Sequence, residues 1–161
     1  MSSNDRIERS IVLKAPRSRV WRALTHAPEF GTWFRAALHD QSFAPGVAAR
    51  GPITYAGYEH VQFDVVVERM EPESYFSWRW HPYAVEPDVD YSGEPTTLVE
   101  FTLEDTEDGG TRLTVVESGF DALPAQRRDE AYRMNTGGWE GQMENIAAHL
   151  AAAATHSNRE A

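Results

Sequence analysis

An α+β domain, in which a curved antiparallel sheet wraps around one long C-terminal helix, is the fold class this sequence predicts. Three observations predict it. Short runs between residues 61 and 118 alternate apolar with polar residues; glycine and proline punctuate those runs as turns; and after Pro124 the apolar period lengthens to three or four. The 161 residues suit one domain with a single core and are too few for two full domains. Residues 6–154 are expected to form it, with 1–5 and 155–161 as flexible tails.

The first strand runs from Arg6 to Lys14, where Ile7, Arg9, Ile11 and Leu13 alternate with Glu8, Ser10, Val12 and Lys14. Because the two faces are imperfectly separated, it belongs near a sheet edge. Ala15-Pro16 stops it, since a proline lacks the ladder N–H but suits the first turn of a helix. That helix turns Val20, Trp21 and Leu24 inward. Ala27-Pro28 ends it and opens a second short helix, Glu29 to Phe34. The segment His39 to Tyr55, with its Pro45-Gly46 turn, is expected to supply two strands. Clearer strands follow at Val61 to Met70, Tyr75 to His81, Thr97 to Glu104 and Arg112 to Ser118. Between them stand Glu71-Pro72-Glu73-Ser74, a long Pro82 to Pro95 loop and Asp108-Gly109-Gly110. Tyr132, Thr136, Trp139, Met143, Ile146 and Leu150 then recur at helical spacing, forming one stripe on a helix expected to end near Ala154.

Composition excludes several function classes. Fifteen Lys+Arg against 25 Asp+Glu give a formal charge of −10, which repels a polyphosphate, so nucleic acid is not an expected partner. A hydrophobic content of 41% is too high for a disordered chain, and no apolar run is long enough for a membrane span. Without cysteine there is no disulfide, thiolate nucleophile or zinc ribbon. Lys14 is the sole lysine, so Schiff-base chemistry would depend on one amine in a strand. The histidines, at 26, 39, 60, 81, 149 and 156, never fall three or four apart, and neither a metal nor another cofactor is expected. No nucleophile elbow, phosphate loop or dinucleotide fingerprint occurs. With no apolar stretch behind a positive charge at the N-terminus, the expected compartment is the cytoplasm.

One strand, two short helices, a meander and a long helix is the order of the helix-grip fold. Four stretches carry a resemblance to the START-like (SRPBCC) superfamily: Val20-Trp21-Arg22-Ala23-Leu24 with Trp33; Val65-Val66-Val67-Glu68-Arg69-Met70-Glu71-Pro72-Glu73 running into Phe76-Ser77-Trp78-Arg79-Trp80; Gly109-Gly110-Thr111-Arg112-Leu113-Thr114 on to Glu117-Ser118-Gly119-Phe120; and Gly138-Trp139 with Met143, Ile146 and Leu150. Within the superfamily the chain is similar to the Aha-type branch, named for the activator of the ninety-kilodalton heat-shock protein ATPase. That resemblance implies a cavity between sheet and helix. It also implies three functions: a carrier of a small apolar or aromatic ligand, a polyketide cyclase or dehydratase, or a cochaperone-like interaction domain.

The carrier reading ranks first. Its expected ligand-binding residues are Trp33, Phe34, Phe63, Trp78, Trp80, Phe101, Tyr132, Thr136, Trp139 and Met143, since Phe76, Trp78 and Trp80 share a face by alternation and the helix stripe closes the space. The same residues would equally serve as plain core. Gly137-Gly138 costs about 1 kcal/mol per glycine in a helix interior, to be offset either by tight packing or bending or by the approach of a ligand. If the protein is an enzyme, Glu117, His81 and Tyr83 are the candidate catalytic residues: Glu117 shares the inward face of Leu113 and Val115, where it is either a carboxyl with a raised pKa or one half of an ion pair with a cation such as Arg79. A homodimer is left open. A chaperone is the least expected partner, and the acidic Pro82 to Pro95 loop is its one obvious docking surface.

Overall fold

The structure is a computed structural model that describes residues 5–86 and 88–160, with side chains through residue 153. The expected tail at 1–5 lies outside the described residues except for Asp5, and Ala161 is likewise outside them. Strand β1 (Arg6–Leu13) leads into helices α1 (Arg17–Thr25) and α2 (Ala27–Phe34). Strands β2 (Ala48–Pro52), β3 (Gln62–Glu71), β4 (Tyr75–Trp80), β5 (Thr97–Asp105) and β6 (Thr111–Ser118) follow, and after a 3-10 turn at Phe120–Ala122 the chain closes with helix α3 (Ala125–Glu160). The six strands form one antiparallel sheet in the order β1-β6-β5-β4-β3-β2, so β1 is an edge strand as its mixed faces predict. A register shift between Val67 and Arg69 bends β3. The resulting fold is the predicted α+β grip, with α3 packed against β1 and α2.

Alternation decides which side chains face the helix. Phe63, Val65 and Val67 on β3, Phe76 and Trp78 on β4, Val99 and Phe101 on β5, and Leu113 and Val115 on β6 are all buried. They meet Ala131, Trp139, Met143, Ile146 and Leu150 from α3. Phe30 of α2 sits at the centre, its ring 4.8 Å from Phe34, 5.4 Å from Phe63 and 5.7 Å from Trp78. The Phe34 ring is stacked, the Phe63 ring tilted and the Trp78 ring edge-on to it, and aromatic pairs of this kind add about 0.5–1.5 kcal/mol each beyond burial. One indole is left wanting, since Trp78 Nε1 is buried without an acceptor.

Several boundaries differ from the sequence expectations. Ala27-Pro28 starts α2 instead of preceding it, because proline is tolerated where a helix has no internal acceptor for its N–H. Pro16 is the N-cap of α1 and not its first residue, and Ala23 takes the inward position expected of Trp21, which stays half-buried with its edge toward Phe76. His39 to Tyr55 yields one strand, β2, with an isolated bridge pairing Ala36 and Ile53. There Leu38 and Phe43 anchor the chain by inserting into the core, without a ladder. Helix α3 continues to Glu160, past the expected end near Ala154.

Helix α2 stops in a way that shapes one wall of the site. Arg35 adopts the left-handed conformation (φ 73°, ψ 55°) and donates its N–H to the Gly31 carbonyl at 2.9 Å. The chain then doubles back so closely that a Cβ on Gly31 would lie 2.2 Å from the Ala36 carbonyl oxygen. Glycine is required there by contact.

Candidate functional site

The deep part of the space between sheet and helix is filled. Trp78, Phe101 and Met143 are at most 4% exposed and pack as core. Open volume begins further out, where three adjoining hollows share Phe34. A wide one of about 510 Å³ lies under the 81–92 loop, against Phe63, Trp80, His81 and Tyr83. A narrow one of about 90 Å³ lies between Trp80, Trp139, Asn135 and Gly138. A third, of about 340 Å³, runs between Ile53, Tyr55 and Tyr58 on one side and the glycines of α3 on the other. Together they form a groove of the size small-molecule sites have.

Gly137, Gly138 and Gly141 all line the third hollow, and a Cβ added at any of them would meet nothing within 4 Å. These glycines therefore do not serve tight packing of α3 on the sheet. They leave a bare strip of helix facing the groove.

At the inner end of the groove Glu117 is fully buried among neutral donors. Its Oε2 accepts from Thr97 Oγ1 at 2.5 Å and Trp80 Nε1 at 2.7 Å; its Oε1 accepts from Trp139 Nε1 at 2.8 Å and Asn135 Nδ2 at 2.9 Å. Burial pushes the carboxyl above the usual glutamate range, and the four donors oppose that push without cancelling it. Arg79 is not the partner. It lies on the outer face of β4 and bonds Glu68 at 3.0 Å. One carboxyl thus ties β4, β5 and α3 together and fixes the two indoles that wall the narrow hollow. With both oxygens doubly occupied and no exposed surface, Glu117 has no free lone pair to present to a substrate.

The other sequence candidates divide. Phe34, Phe63, Trp80, Trp139, His81 and Tyr83 line the groove. Trp33 does not: its Nε1 donates to the Ala23 carbonyl at 2.8 Å inside the core. Tyr132 bonds the Arg6 carbonyl and packs on Phe120, away from the groove, and Thr136 bonds back to the Tyr132 carbonyl. His81 Nε2 contacts the Glu94 carbonyl oxygen at 3.1 Å. Burial and then the negative charge of Glu130 hold the Tyr83 phenol above its ordinary value, so it stays protonated at neutral pH. Among the described residues no group of three or more His, Asp or Glu could hold a metal ion, and no helix is long and apolar enough to cross a membrane. Sequence reasoning missed Arg35, Ile53, Tyr55, Tyr58 and Gln142, which come from irregular segments or from beside the glycines. Asn135 stands four residues before Trp139, a spacing that does mark a shared helix face.

A sheet gripping a long helix around a groove defines a helix-grip protein of the START-like class. The sequence profile of the family described as Activator of Hsp90 ATPase homolog 1-like protein matches residues 14–151, and the chain belongs to that family. Among solved structures, protein MLL2253 from Mesorhizobium loti is 27% identical with a TM-score of 0.70, covering 91% of this chain and 97% of its own. A protein from Arthrobacter aurescens has a TM-score of 0.73 at 15% identity, over 92% of this chain and 87% of its own. DynU16, from the dynemicin biosynthetic locus, has a TM-score of 0.70 at 23% identity; the match covers 92% of this chain but only 48% of DynU16, so this chain spans about half of it. No curated protein matches the sequence.

Proposed function

We propose that this protein binds a small apolar or aromatic molecule in the groove between β3–β4, the 81–92 loop and the bare strip of α3. The observation that carries the reading is the conjunction of Phe34 and Trp80 with three helix glycines that face open space. Each glycine costs the helix about 1 kcal/mol relative to alanine, and no packing contact offsets it, so access to the groove is the compensating gain. Glu117 belongs to this reading as a tether for Trp80 and Trp139.

N-phenyl-1-naphthylamine, a neutral aromatic probe, tests it. Saturable binding should quench tryptophan fluorescence and raise the melting temperature by mass action. Gly138→Leu should abolish both effects by filling the narrow hollow. No saturable binding by the native chain, or binding that Gly138→Leu leaves unchanged, would remove the reading.

A second reading, proton transfer on a polyketide-like substrate, is supported by one observation: His81 and Tyr83 share the wide hollow. It requires turnover of a bound aromatic that His81→Ala abolishes while binding persists. Binding without turnover leaves the carrier reading alone.

A further inference from the structure

We infer that the groove is built for an amphipathic anion, an organic acid whose apolar body lies against Phe34 and the glycine strip and whose acidic head meets Arg35. The inference rests on the groove reading above and adds the ligand's charge and orientation. Among the described residues Arg35 is the one charged residue lining the third hollow. Its guanidinium has no ion pair or hydrogen bond among the described residues. Arg17, Arg19, Arg50, Arg79 and Arg127 each pair with a carboxylate, whereas Arg112 and Arg133 also show no ion pair among the described residues but line none of the three hollows. In a chain of formal charge −10, an uncompensated cation inside a groove is a local exception.

The backbone presents this cation deliberately. Arg35 occupies the left-handed cap of α2, a conformation that costs about 1–2 kcal/mol for a residue with a Cβ and that glycine or asparagine would meet more easily. Its N–H is held by the Gly31 carbonyl and its own carbonyl accepts from Thr54 N–H, both at 2.9 Å, so the root of the side chain is fixed at the groove wall. The remaining donors are placed to help. No hydrogen bond occupies the hydroxyls of Tyr55 and Tyr58 among the described residues, and their rings stand 5.9 Å apart beside the same hollow. The two amides are already committed, Gln142 Nε2 to the Phe34 carbonyl and Asn145 Nδ2 to Gln142 Oε1, each at 3.1 Å.

Charge polarises the groove along its length. The wide hollow carries Asp64, Glu86 and Asp90, with Arg50 3.6 Å from Asp64. Among the described residues the third hollow contains no acidic residue. An anionic head is therefore repelled from the loop end and attracted to the Arg35 end, which sets the direction in which the body crosses Phe34.

The test compares two probes with one aromatic skeleton, neutral N-phenyl-1-naphthylamine and its sulfonate, 8-anilinonaphthalene-1-sulfonate. The native chain should bind the sulfonate about five- to tenfold more tightly, a modest factor because Arg35 is solvent-exposed, and added salt should erode the difference. Arg35→Asn keeps a residue tolerant of the left-handed cap and should abolish the preference by weakening the sulfonate about five- to tenfold more than the neutral probe. Arg35→Lys should retain part of it. Arg35→Gly, also at ease in that conformation, repeats the neutral substitution if the asparagine variant melts early. An unchanged preference in Arg35→Asn, or an equal loss of both probes, overturns this inference and leaves the groove reading standing. Failure of both probes with the native chain overturns the two together.

Discussion

At the scale of single residues Glu117 makes the sharpest predictions, because four donors converge on it and two of them, the indoles of Trp80 and Trp139, cannot accept. In Glu117→Gln the new amide N–H₂ must face one donor pair. Toward Thr97 and Trp80 the hydroxyl can turn round to accept, and toward Asn135 and Trp139 the asparagine amide can flip. Either arrangement orphans one buried indole N–H, so urea unfolding should show a loss of roughly 1–3 kcal/mol. The pH dependence follows from the direction of the shift. A carboxyl raised on folding binds more protons folded than unfolded, so its contribution is fully present below the ordinary glutamate value and is lost as pH climbs through the raised folded value. Glu29 acts oppositely: burial pushes it up, but bonds from Arg19 and His149 outweigh burial and hold it low, so its contribution is lost as pH falls through the lowered value. Native minus Glu117→Gln stability, measured across pH, should therefore decline on the alkaline side of the ordinary glutamate range, and a flat difference would refute the raised carboxyl. The inward direction of Glu117 was legible from its alternation with Leu113 and Val115. Its partners were not, since Trp80, Thr97 and the α3 pair reach it through cross-strand register and helix placement, which periodicity does not encode. Alternation did hold the information that Arg79, between Trp78 and Trp80, faces outward.

Among the elements, α3 and α2 use glycine for opposite reasons, and substitution separates them. Gly137→Ala or Gly138→Ala adds a methyl into open space on a regular helix and should stabilise by about 0.5–1 kcal/mol. Gly31→Ala drives a methyl into the Ala36 carbonyl and should destabilise, most visibly as a lowered melting temperature. A destabilised Gly138→Ala would mean that the helix backbone needs glycine for its own geometry. Strands β3 to β6 were readable within a residue because burial imposes period two on them, and the stripe marked α3, though not its end, since the stripe stops at Leu150 while the helix runs on to Glu160. The stretch from Ala36 to Val47 was not, because Leu38 and Phe43 are spaced as anchors without a ladder. The outer groove inherits that illegibility: Arg35 and Tyr55 stand just beyond regular elements, where no period assigns a direction.

For the molecule as a whole, the remaining question is whether its surface can engage a chaperone as the family description suggests. The order of elements made the grip legible, and with it the placement of a site between sheet and helix; how much of that space is filled depended on the packing of Phe30, Phe63, Trp78 and Phe101, which composition leaves open. The same packing bears on docking. A stable protein interface buries about 800 Å² per partner around aromatic anchors. Here the exposed large apolar residues are dispersed, Val12 on β1, Val47 just before β2, Val66 on β3, Val89 in the acidic loop and Met134 on α3, while Tyr55 and Tyr58 flank the groove. The acidic loop is no free arm either. Arg127 bonds the carbonyls of Pro82 and Tyr83 at 2.9 Å each and Glu94 at 3.0 Å, and covers the Tyr91 ring at 4.6 Å, which fastens the loop as a wall of the wide hollow. Its exposed carboxylates can speed an encounter with a basic surface but supply little lasting affinity. We therefore expect that adding this chain by itself to a ninety-kilodalton heat-shock chaperone leaves phosphate release unchanged. A several-fold, salt-sensitive rise that disappears when Glu86, Asp88 and Asp90 are neutralised would show that the loop docks after all, and would put the interaction reading ahead of the carrier.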